Sequence, residues 1–112
     1  MVVSLDLDEP WKGFGPFLHW IQPGFKAGED GVLTTSEPFV ANWVGPAPPP
    51  DSAPHRYTFY LLSQPASFDG SKYAPADGRP LDNLDRIRYS LDDWIEKTKS
   101  RDPVAANYFM SN

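Results

Sequence analysis

At 112 residues the chain is one domain or part of one, and a net charge of −5 without any basic run argues against nucleic acid or an anionic membrane surface as a partner. The absence of cysteine excludes a disulfide framework, a thiolate zinc site and a cysteine nucleophile, and two histidines alone argue against a dedicated metal site. Forty per cent apolar content supplies a packed core, while 13 prolines and 8 glycines favour a loop-rich, mostly β (α+β) architecture over long helices.

The chain opens on Val2 to Asp8, which alternates as a strand does: Val3, Leu5 and Leu7 fall on one face, and Ser4, Asp6 and Asp8 on the other. Two carboxylates therefore project from one side, next to Glu9 and Pro10, where pairing should end. This opening has no basic region and is not a secretory leader, and no apolar run reaches the roughly 18 residues a membrane span needs. A cytoplasmic protein without a cofactor or an integral membrane segment is the expectation.

Lys12 to Pro16 reads as a glycine-rich turn. The run Phe17-Leu18-His19-Trp20-Ile21 that follows is apolar except for its histidine and predicts a strand buried on both faces. A buried imidazole needs partners, and Asp6 or Asp8 is the expected one. Gln22 to Gly31 reads as a loop, and Val32 to Val44 as one or two short strands broken at Pro38.

Trp43 to Leu62 is the most organised stretch. Pro46, Pro48, Pro49, Pro50 and Pro54 stiffen a loop entered at Gly45, and from His55 onward the residues are those of a strand, with His55, Tyr57, Phe59 and Leu61 on one face. An imidazole and a phenol side by side suit capture of an anion or a polar head group, since both donate hydrogen bonds. The same pattern also fits a half-buried strand whose His and Tyr only satisfy neighbouring backbone.

Ser63 to Pro80 reads as a long irregular segment with little apolar surface to hold it, expected to be more mobile than the core. A helix follows: Ser90 with Asp93 has the spacing of a capping box, Leu91, Trp94 and Ile95 form an apolar stripe, and Asp102-Pro103 closes the element. Val104 to Met110 is a terminal strand or a lip over the core.

In order, LDLDEP, FLHW, GPAPPPDSAPHRYTF and YSLDDWIEKTKSRDPVAANYF resemble the phosphatidylethanolamine-binding protein family, its fungal branch in particular. The resemblance implies a single domain over residues 1–112 with a two-sheet β fold, one short C-terminal helix, and a small surface pocket for phosphate-bearing or carboxylate-bearing groups. It places Asp6, His19, Gly45, Pro48, Pro49, His55 and Tyr57 at that pocket, with Asp6, His19 and His55 as candidates for proton transfer. Arg56 would point to the opposite face of its strand, toward an acidic residue such as Asp8. The resemblance also implies that the chain lacks the family's N-terminal strands, so that an uncovered sheet edge would invite a protein partner or self-association.

Two functions follow from this reading. One is a binding protein for phosphate, a phospholipid head group or a carboxylate, with regulatory partners in the family's manner. The other is an enzyme or accessory protein of a fungal natural-product pathway acting on an acid or anhydride in the same pocket, with His55 or His19 moving a proton.

Overall fold

The computed structural model describes residues 1–9, 13 and 15–112. Its main element is a four-stranded antiparallel sheet in the order β2-β1-β5-β6, built from β1 (Val2–Asp6), β2 (Phe17–Gln22), β5 (His55–Leu61) and β6 (Ala105–Ser111). Between β2 and β5 the chain forms a small second sheet from β3 (Lys26–Ala27) and β4 (Leu33–Thr34). The helix α1 (Leu91–Thr98) completes the two-sheet, one-helix fold expected from the sequence.

Alternation along β1 divides the sheet into two chemically different faces. Val3 and Leu5 stand opposite Ile21 and Leu18 of β2, and these four share a core with Met1, Leu62, Val40, Ala41 and Trp94. Directly opposed residues in an antiparallel pair project to the same side, so Ser4 and Asp6 share the other face with Phe59 and Tyr57 of β5. That second face is aromatic.

The pairing of β1 with β2 contains one irregularity. Ser4 faces Trp20 and the next residue, Leu5, faces Leu18, which leaves His19 as the extra residue of a β-bulge. Bulges redirect a side chain out of the strict alternation. The consequence is that the His19 ring meets Phe17, Tyr57 and Trp43.

Ser90 caps α1, its hydroxyl accepting from the Asp93 amide at 3.1 Å, and Trp94 is the buried member of the stripe. Residues 70–72, 76–78 and 83–85 form short 3₁₀ turns within the irregular region. Ser63 to Pro80 is better anchored than its composition implies, because Phe68 stacks on Tyr73 at 5.6 Å and Tyr73 meets Trp94 edge-on at 5.1 Å. The loop expected over Gln22 to Gly31 contains β3, and Val32 to Val44 holds only β4 and a lone bridge from Ala41 to Ile21. The turn expected at Lys12 to Pro16 lies in part outside the described residues. Val104 to Met110 resolves as the strand β6, exposed along almost its whole length.

Candidate functional site

Asp6 ends β1 with both carboxylate oxygens engaged. Its Oδ1 accepts from the Asp8 backbone amide at 2.8 Å, and its Oδ2 lies 2.7 Å from Nδ1 of His55, which donates because a carboxylate oxygen only accepts. Both side chains are almost wholly removed from water. Asp8 instead takes Arg56: Nε and Nη2 of the guanidinium donate to its two oxygens at 2.8 and 2.9 Å, and the Arg56 amide adds a third bond. The guanidinium and its hydrogen bonds hold the Asp8 carboxyl down at about 2. The ion pair anticipated from strand alternation is thus present.

A cavity of about 210 Å³ opens beside Asp6, lined also by His19, Tyr57 and Gly45. Glu9 and Asn83 contribute the remaining polar side chains. Larger, more open grooves lie elsewhere, one of about 560 Å³ beside the start of α1, but the buried Asp6, His19 and Tyr57 meet at the smaller one.

His19 is not held by either aspartate. Its Nδ1 donates to the carbonyl of Val44 at 2.7 Å, tying the bulge of β2 to the proline-rich loop. Burial lowers the His19 pKa; the Val44 bond and the Asp6 charge oppose this and the Arg86 charge adds to it. The ring is therefore neutral near pH 7, and with Nδ1 protonated its Nε2 carries the lone pair. The Asp6 charge favours a charged imidazole, but desolvation outweighs it at His19. Tyr57 is 1% exposed, and its phenol is pushed up to about 12, mainly by burial and then by the Asp6 charge. It stays protonated, and its hydroxyl donates to Asp6.

The structure brings Asp6, His19, Gly45 and Tyr57 to the cavity and places three other expected residues differently. His55 stands behind Asp6, its ring stacked on Tyr57 at 6.2 Å, and does not itself line the cavity. Pro48 and Pro49 are half-buried in the loop and do not line the cavity, whereas Ala47 of the same loop does. Asp6, Glu9 and His55 place possible metal-ligand atoms within 4.8 Å of one another, and two of these residues share the direct Asp6–His55 hydrogen bond.

Two residues escaped sequence reasoning. Asn83 reaches the cavity from a 3₁₀ turn. Arg86 is fully buried without a carboxylate partner, donating to the carbonyls of Leu18, Asn42 and Leu81 and to Oδ1 of Asn42. It therefore pins the backbone immediately before His19 and before Trp43. In an Arg-Ile-Arg stretch, only the neighbouring Asn83 and Leu81 hinted that one arginine turns inward.

The fold and site define a class. The family model for phosphatidylethanolamine-binding protein matches residues 1–109, and the chain belongs to that family. It is 31% identical to the phomoidride biosynthesis cluster protein N of Talaromyces stipitatus over 99% of this chain and 58% of that protein. It is also 37% identical to the carboxypeptidase Y inhibitor of Saccharomyces cerevisiae, over 62% of this chain and 32% of that protein. The chain thus spans little more than half the length of the first of these relatives and a third of the second. No helix among the described residues is long and apolar enough to cross a membrane.

Proposed function

We propose that the protein binds the polar head group of a small ligand in the Asp6 cavity, the head group carrying an ammonium or similar donor beside a phosphate or carboxylate. What supports this reading most is the mixed hydrogen-bonding set at one small opening. Asp6 and Nε2 of His19 accept, the Asn83 amide donates, and the Tyr57 hydroxyl, itself hydrogen-bonded to Asp6, completes the set. A bare anion is the simpler expectation, but no lysine or arginine lines the cavity among the described residues, and the buried Asp6 carboxylate does. A ligand that brings its own positive group offsets that charge. Phosphoethanolamine has both parts, and the family's name points the same way.

Calorimetric titration with phosphoethanolamine, ethanolamine and inorganic phosphate tests the reading. Phosphoethanolamine is expected to bind more tightly than either fragment. Phosphate binding equally well would replace it with a plain anion pocket.

A second reading is favoured by the similarity to a biosynthesis-cluster protein. Here the same cavity holds an acid or anhydride, and the neutral His19, with its Nε2 lone pair, accepts a proton. Consumption of such an acid by the wild type and not by His19→Gln distinguishes catalysis from binding alone.

A further inference from the structure

We propose that the aromatic row Tyr57–Phe109–Phe59–Trp43 forms a second subsite, which takes the apolar acyl chain of the ligand whose head group sits in the Asp6 cavity. The inference rests on the head-group reading and extends it to the body of the ligand. Alternation puts Tyr57 and Phe59 on one face of β5, and the register sets Phe109 of β6 opposite Tyr57. Tyr57 stacks on Phe109 at 5.5 Å, Phe109 on Phe59 at 5.9 Å, and Phe59 on Trp43 at 5.9 Å. Four rings from three chain segments make one continuous surface.

This surface begins inside the cavity and leaves it. Tyr57 lines the cavity and starts the row, while Trp43 ends it and is followed in the chain by Val44 and Gly45, which line the cavity too. Trp43 and Phe109 are 44% and 41% exposed, in contrast to the other face of the sheet, where Val3, Leu18 and Ile21 are buried. A cavity of about 210 Å³ is below the usual several hundred Å³ of a pocket that encloses a whole ligand. Any ligand larger than a head group must therefore continue outside, and this uncharged row adjoins the opening. An acyl chain laid on it would remove apolar surface of both partners from water.

The test compares phosphoethanolamine with a short-chain lysophosphatidylethanolamine kept monomeric, on the wild type, Asp6→Asn, Trp43→Ser and Phe109→Ser, each checked for folding by circular dichroism. In the wild type the chain should strengthen binding by about tenfold or more, the order expected from burying a few methylene groups. In Trp43→Ser and Phe109→Ser that ratio should fall toward one. If phosphoethanolamine binds through Asp6 but the acyl chain adds nothing, or the ratio survives in both serine variants, the subsite is overturned and the head-group reading stands. If phosphoethanolamine fails to bind, or binds Asp6→Asn as well as the wild type, the head-group reading falls and the subsite with it. Vesicles containing phosphatidylethanolamine form a final arm: recruitment to vesicles without binding of the monomeric amphiphile also overturns the subsite.

Discussion

Nδ1 of His55 lies 2.7 Å from Oδ2 of Asp6 in a site where each side chain is only 2–3% exposed, so the imidazole holds the carboxylate that lines the cavity. His55→Ala is expected to cost about 1–3 kcal/mol of stability, because Asp6 stays buried with a partner missing. It should also weaken ligand binding by loosening the Asp6 carboxylate. Denaturant unfolding and calorimetry on one preparation check both effects. Wild-type stability together with wild-type affinity would show that the hydrogen bond does no work.

Arg86 supplies a second test of the scaffold. Arg86→Met keeps much of the length but leaves the carbonyls of Leu18, Asn42 and Leu81 without their donor, and a loss of at least about 2 kcal/mol is expected. Urea titration reads it as a lowered midpoint at unchanged slope. A change below about 0.5 kcal/mol, the range of ordinary surface substitutions, contradicts the assigned role.

His19 predicts a pH dependence with a definite sign. Its pKa is lowered by folding, so near and below its ordinary value of 6.5 the unfolded chain binds the proton more readily. The His19 contribution to stability is therefore complete above that value and is lost progressively as pH falls below it. Unfolding at about pH 7.5 and about pH 5 should show a smaller difference for His19→Gln than for the wild type. An equal difference in the two proteins rules the burial account out.

The sheet edge is open at β6. Ala105 to Ser111 contains no charged residue, and Tyr108 and Met110 are among its exposed side chains. Natural edges usually carry charges, prolines or bulges against unwanted pairing. Sedimentation velocity should show concentration-dependent association that Tyr108→Lys reduces. A single monomeric species across the concentration range contradicts this prediction.

How much of this was legible depended on the kind of partner each residue takes. Strand alternation placed Asp6 and set Arg56 on the face opposite His55, and the spacing of Ser90 and Asp93 marked the start of the helix; Asp8, expected beside Asp6 on one face, lies past the end of β1 and pairs with Arg56 instead. His19 was legible as a special residue, but its partner is a backbone carbonyl, which has no side-chain signature. The bulge that aims it is a register effect between two strands and has no local sequence cue. His55 was assigned to the site on its motif, yet only the fold shows that it stands behind Asp6. Arg86 was missed because an arginine's burial depends on carbonyls contributed by distant segments.

If the Asp6 cavity binds a head group carrying its own positive charge, the Asp6 charge should carry much of the affinity. Calorimetric titration of phosphoethanolamine into the wild type and Asp6→Asn tests it most directly, since asparagine keeps the size of the side chain and removes its charge. Saturable wild-type binding is expected, weakening in Asp6→Asn by about 1.5–3 kcal/mol, the range of a hydrogen bond to a charged group. Affinity equal to or greater than that of the wild type in Asp6→Asn would contradict it.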